Sequence, residues 1–113
     1  KYFATMYRDN ITREKGLVLH CAVARGDVSL ILAEINRGAS LETKDKYGRT
    51  PLAIAVYSGQ IEVVRLLLEK GVNVNAKDYK GRTPLDRSMN DKIDALLYSN
   101  GGKTGAEVKA EKN

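Results

Sequence analysis

Few side chains in this 113-residue chain stand in arrangements that could do chemistry. His20 next to Cys21 brings together the residue types of a thiol nucleophile and its base, and they are the only histidine and the only cysteine. Neighbours in sequence point away from each other on a helix, however, and catalytic pairs of this kind are assembled by the fold. One histidine and one cysteine also fall short of a four-ligand zinc site, and no loop has the oxygen spacing of a calcium site, so neither metal nor cofactor is expected. Gly102-Lys103-Thr104 has the ending of a phosphate-binding loop, yet that loop needs a glycine five residues before its Gly-Lys pair, where this chain has Leu97, and no strand precedes it. Asp91 and Asp94 lie among lysines on a solvated helix, with nothing to desolvate them for acid/base work. Asn10-Ile11-Thr12 matches the glycosylation triplet, a signal that matters only in a protein secreted by a eukaryote. The chain reads as a non-enzyme.

The elements that would position these residues follow from a repeat. Gly48-Arg49-Thr50-Pro51-Leu52 recurs as Gly81-Arg82-Thr83-Pro84-Leu85, 33 residues later. Gly26 and Gly59, Gly38 and Gly71, Lys44 and Lys77, and Asp45 and Asp78 keep the same offset, as do Leu19, Leu52 and Leu85. A fixed period of this size means stacked units. Thr50 and Thr83 can cap a helix start, with Pro51 and Pro84 suited to the first helical position. Leu52, Ala55 and Val56 form one stripe of a short inner helix ended by Gly59. Val63, Val64, Leu67 and Leu68 form the stripe of a second helix, ended by Gly71.

The period and the Thr-Pro-Leu phrase resemble the ankyrin repeat, as do Leu19-His20-Cys21-Ala22 and Leu66-Leu67-Leu68-Glu69-Lys70-Gly71. The resemblance covers about residues 17 to 101. It implies an all-α solenoid of helix-turn-helix repeats with hairpin-like finger loops projecting at a right angle. It also implies a protein-binding role, and a histidine at His20 that braces the turn through hydrogen bonds. Within it, 17–45 is a degenerate first repeat, 46–78 a complete one and 79–101 a shortened C-terminal capping repeat, since Asp86-Arg87-Ser88 replace Ala53-Ile54-Ala55 and three residues are missing before Ile93. Terminal repeats need a polar outer face.

Residues 1–16 lie outside the period. Tyr2, Phe3, Met6 and Tyr7 have the spacing of a helical apolar face, which predicts an N-terminal capping helix; a degraded further repeat and an exposed docking segment are the alternatives. Gly101-Gly102-Lys103-Thr104-Gly105 breaks structure, and residues 102–113 read as a flexible tail. That ending resembles the exit of many bacterial ankyrin-repeat proteins. With one cysteine there is no internal disulfide, and no run reaches membrane-spanning length, so no membrane insertion is expected. The chain begins at Lys1 rather than methionine and reads as an excised or processed product. Its localisation is open, with the cytoplasm favoured and export or a periplasmic location still allowed.

What remains is surface. In stacks of the kind this chain resembles, the finger tips and the exposed side of the inner helices line one concave face. The matching positions are Lys46, Tyr47 and Arg49 on the first finger, Tyr79, Lys80 and Arg82 on the second, and Arg25, Tyr57, Ser58 and Asn90 on the inner helices. Across the two fingers six bases (Lys44, Lys46, Arg49, Lys77, Lys80, Arg82) face three acids (Glu42, Asp45, Asp78), net +3 of the chain's +5. Tyrosine and arginine are the types enriched at binding hot spots, and an acidic protein surface is their complement. Loop lysines also serve plain solubility. Nucleic-acid binding would use the same side chains, but interleaved acids, with twelve bases against ten acids from Leu17 to Gly101, argue against it. A monomer that binds an acidic protein is expected, whether as a scaffold or as a regulator or inhibitor docking on an enzyme.

Overall fold

Two threonines open two helices by the same device. In the computed structural model, which describes residues 17–111, Thr50 lies in extended backbone, its Oγ1 accepts the Ala53 N–H at 3.3 Å, and Pro51 takes the first helical position. Thr83 does the same for Asp86, and the Asp86 carboxylate in return accepts the Thr83 N–H at 2.9 Å. Asp27 and Asn90 cap two further helices through their side chains. Each cap satisfies a backbone donor that the first helical turn cannot.

The resulting helices are α1 (Leu17–Arg25), α2 (Val28–Asn36), α3 (Pro51–Tyr57), α4 (Ile61–Glu69), α5 (Pro84–Arg87), α6 (Asp91–Ser99) and α7 (Gly105–Glu111). None of the described residues is in a strand. Helix α1 packs on α2 and α3, α3 on α4 and α5, and α6 on α4 and α5. The inner helices α1, α3 and α5 thus form one row, with each pair touching only its neighbours. Leu19, Leu52 and Leu85 are buried at the same place in successive repeats, and Val63, Val64, Leu67, Ile93 and Leu97 complete the core behind them. Burial of each such side chain contributes about 1.5–3 kcal/mol. Leu68 is only half-buried, so the α4 stripe is narrower than its four apolar residues suggest.

The end repeats depart from the central one where their sequences do. Glu34 occupies the position of Leu67, is 7% exposed, and is held by the Arg37 guanidinium at 2.7 and 2.9 Å. The apolar plug of the central repeat is replaced there by a buried carboxylate paired with an exposed arginine. In the third repeat α5 stops after four residues at Ser88, whose ψ of 139° leaves the helical region. The helical cap expected over residues 1–16 lies outside the described residues.

Of the tail expected over 102–113, residues 102–111 are described, and they are hydrogen-bonded to the stack. Gly102 is buried and its N–H donates to Leu97 O at 2.7 Å, Lys103 N donates to Asn75 Oδ1 at 2.7 Å, and Thr83 Oγ1 donates to Lys103 O at 2.6 Å. Thr104 and Glu107 then exchange two bonds, of 2.8 and 3.1 Å, a capping box that opens α7. The reason is in the sequence. Gly102-Lys103-Thr104 repeats the Gly-Arg-Thr that precedes α3 and α5, with the finger omitted and Gly105 in place of proline. A Cβ on Gly105 would stand 2.3 Å from Gly81 O, so only glycine allows the approach.

Candidate functional site

The fingers are built from the carboxylates inward. Asp45 Oδ1 accepts the backbone N–H groups of Tyr47 and Arg49, each at 2.9 Å, and its Oδ2 accepts Arg49 Nε at 2.8 Å. Asp78 repeats the arrangement with Lys80 N, Arg82 N and Arg82 Nε, all at 2.9 Å. Burial of each carboxyl opposes its ionisation, but these donors and the guanidinium charge outweigh it and hold both below the usual carboxylate range. Each tip is then closed by a turn, Gly48 N to Asp45 O at 2.9 Å and Gly81 N to Asp78 O at 3.0 Å. The two fingers are tied side by side through Tyr79 N to Tyr47 O at 3.1 Å, Lys44 Nζ to Lys77 O at 2.8 Å and Asn73 N to Glu42 Oε2 at 2.8 Å.

Two clefts open along this face. The larger, about 930 Å³, is floored by Leu17, Cys21, Ala24, Ile54 and Tyr57 and walled by the first finger, Lys44 to Tyr47 together with Arg49. The smaller, about 280 Å³, lies between the finger tips and the third repeat, lined by Lys46, Tyr47, Arg49, Tyr79, Lys80, Arg82 and Arg87. Five cations and two tyrosines line it, and no carboxylate does. One of its two rings is already engaged by cations: Lys46 Nζ and the Arg49 guanidinium lie 5.2 and 4.9 Å from the Tyr47 ring centre. Tyr57 carries the Arg87 guanidinium at 4.6 Å.

Of the residues singled out from sequence, Lys46, Tyr47, Arg49, Tyr79, Lys80 and Arg82 therefore meet in one cleft, and Tyr57 and Ser58 border the other. Arg25, exposed at the end of α1, lines neither. Asn90 is occupied as the cap of α6, accepting from Lys92 N and Ile93 N. Arg49 and Arg82 are more than surface charge, because each spends its Nε on fixing its own finger. Sequence reasoning missed Cys21, Ala24, Ile54 and Arg87. The period itself places them: Cys21, Ile54 and Arg87 are one position in successive repeats, and Ala24, Tyr57 and Asn90 another.

The chemical candidates resolve into structure. His20 Nε2 donates to Arg49 O at 3.1 Å, so the imidazole ties α1 to the cap of the next repeat. Burial pushes the Cys21 thiol above its usual value, away from nucleophilic thiolate. Among the described residues no group of three or more His, Cys, Asp or Glu is placed to hold a metal, and no helix is long and apolar enough to cross a membrane.

Helix pairs stacked in register, with joined fingers and an open cleft along one side, define a repeat scaffold of the solenoid class. A family model for ankyrin repeats, in three copies, matches residues 19–109, and the chain belongs to the ankyrin-repeat family. Members of this family are generally protein–protein interaction modules and typically non-enzymatic. The match runs beyond Gly101 into α7, in keeping with the capped helix start at Thr104. No individual curated protein matches the chain.

Proposed function

We propose that this chain is a non-enzymatic binding module whose concave face, made of the two fingers and the inner helices, docks on an acidic surface of a partner protein. One observation carries the reading: the cleft between the finger tips is lined by five cations and two tyrosines and by no carboxylate. The carboxylates nearest in sequence, Asp45 and Asp78, are turned into the finger backbones and leave the rim cationic. Tyrosine supplies buried area with few rotors and arginine grips carboxylates by paired bonds, so complementarity and anchoring coincide. A scaffold and an inhibitor docking on an enzyme would use this face alike, and the chain binds as a monomer.

Lys46→Glu with Lys80→Glu is the test, since neither ammonium takes part in the hydrogen bonds that fix its finger, Lys46 Nζ touching only the Tyr47 ring. A partner recovered from cell extract should bind this variant more weakly than the parent, chiefly through slower association at low salt, while helicity and melting stay unchanged. Equal affinity for the variant and the parent would refute the reading.

A further inference from the structure

The two clefts adjoin, share Lys46, Tyr47 and Arg49, and differ in chemistry. The difference follows the repeat. At one inner-helix position the chain runs Cys21, Ile54, Arg87, so the same face passes from apolar over the first two repeats to cationic over the third. Arg87 is held at that boundary by the Tyr57 ring, at 4.6 Å, and reaches the smaller cleft from below the fingers. The Tyr47 side chain, 54% exposed, borders both clefts. A purely acidic ligand would leave the Leu17, Cys21 and Ala24 floor wet, and a purely apolar one would desolvate Lys46, Lys80 and Arg87, which, unlike Arg49 and Arg82, no described carboxylate pairs, and that is costly.

From this arrangement we infer that the face reads a bipartite linear segment of a partner protein, with an apolar stretch seated over repeats one and two and an adjoining acidic stretch seated between the finger tips. The inference rests on the proposed binding role and names the partner's chemistry within it. Tyr47 marks the junction, and Arg87 sets where the acidic half begins.

The experiment is selection from a random linear peptide library displayed on phage against the whole protein. Selected sequences should carry an apolar cluster next to a run of Asp or Glu. Arg87→Glu should weaken the selected peptides by about tenfold or more, with the loss erased when their acidic half is neutralised. Ala24→Arg, on an exposed position of α1, should act only through the apolar half. Arg87→Gln serves as the second variant if the charge reversal perturbs α5, and circular dichroism reports folding for all of them. Acidic peptides without an apolar cluster, sensitive to Lys46→Glu with Lys80→Glu, would overturn the inference and leave the broader binding role standing. Apolar peptides indifferent to Arg87, or no enrichment over the unfolded protein, would overturn the inference, and the broader role would stand or fall on the Lys46→Glu with Lys80→Glu test. Displacement of the selected peptides by a synthetic peptide of residues 1–16, or dimerisation that competes with them, would assign the larger cleft to the chain itself and likewise overturn the inference.

Discussion

Tyr79 is fastened to Tyr47 through the backbone, N–H to carbonyl at 3.1 Å, and its ring covers Gly48. The register between the fingers therefore depends on a residue with no side chain. Gly48 has φ +80°, and a Cβ there would stand 2.6 Å from Tyr79 Cδ1 and 2.7 Å from Tyr79 N. The ring can swing aside, but the nitrogen cannot move without losing its bond to Tyr47.

Gly48→Ala should accordingly cost more than backbone strain alone, which is about 1–2 kcal/mol for the left-handed conformation. Gly81 provides the control. It has nearly the same φ, +78°, and nothing within 4 Å of a Cβ. Thermal melts of Gly48→Ala and Gly81→Ala should differ, with the former lower, and only the former should impair ligand binding. Equal melting would mean that the fingers are not braced at this point.

Asp45 and Asp78 make the fingers acid-sensitive. Both carboxyls are held below their usual range in the folded protein by the donors around them. A lowered folded value means stability that is present above the unfolded value, about 3.9, and is lost as pH falls through the folded one. The melting temperature should hold down to about pH 4 and drop below it. Asp45→Asn with Asp78→Asn should melt lower at neutral pH and show a shallower acid fall. A parallel fall in both proteins would show that other carboxyls govern it.

Most of this architecture was legible because the 33-residue period transmits local rules from one repeat to the next. Thr50 and Thr83 announce their helices through cap chemistry, and Leu19, Leu52 and Leu85 announce the core through their offset. The site was half legible. Lys46, Tyr47, Lys80 and Tyr79 are conspicuous by type on the fingers, whereas Arg87 resembles any charged residue of a polar capping repeat until it is aligned with Ile54. That Arg49 and Arg82 fix their own loops depends on side-chain geometry four residues away, which composition does not carry. The C-terminal helix was hidden because glycines at 101, 102 and 105 read as breakers, although Gly102 and Gly105 are there for close approach.

His20 offers a test of the first repeat's missing hydroxyl. Its Nδ1 is buried and unpartnered among the described residues, because Leu17 stands where Thr50 and Thr83 stand in the other repeats. In the third repeat Asp86 occupies the His20 position, and Thr83 Oγ1 reaches its carboxylate at 3.3 Å. A threonine at 17 can therefore donate to Nδ1. Leu17→Thr should be more stable than the isosteric Leu17→Val by about 1 kcal/mol, measured by denaturant midpoints. Identical midpoints for the two variants would dismiss the missing hydroxyl as the cause.

The C-terminal segment separates two contributions that a single truncation would confuse. Residues 103–105 close the last repeat: Lys103 O receives Thr83 Oγ1, Lys103 N reaches Asn75 Oδ1, and Gly105 N reaches Asp86 Oδ2 at 2.8 Å. Thr83 is fully buried, so losing this acceptor leaves its hydroxyl only the longer contact to Asp86 Oδ2 at 3.3 Å. Helix α7, by contrast, has no buried residue of its own. Ending the chain after Gly102 should thus cost about 2–4 kcal/mol from three hydrogen bonds, while ending it after Gly105 should cost little of that. Hydrogen exchange at Asp86 N, which is bonded to Thr83 Oγ1 at 3.4 Å, should speed up only in the shorter protein. If both truncations melt together and well below the parent, α7 itself stabilises the stack and the three bonds at its root do not account for the loss.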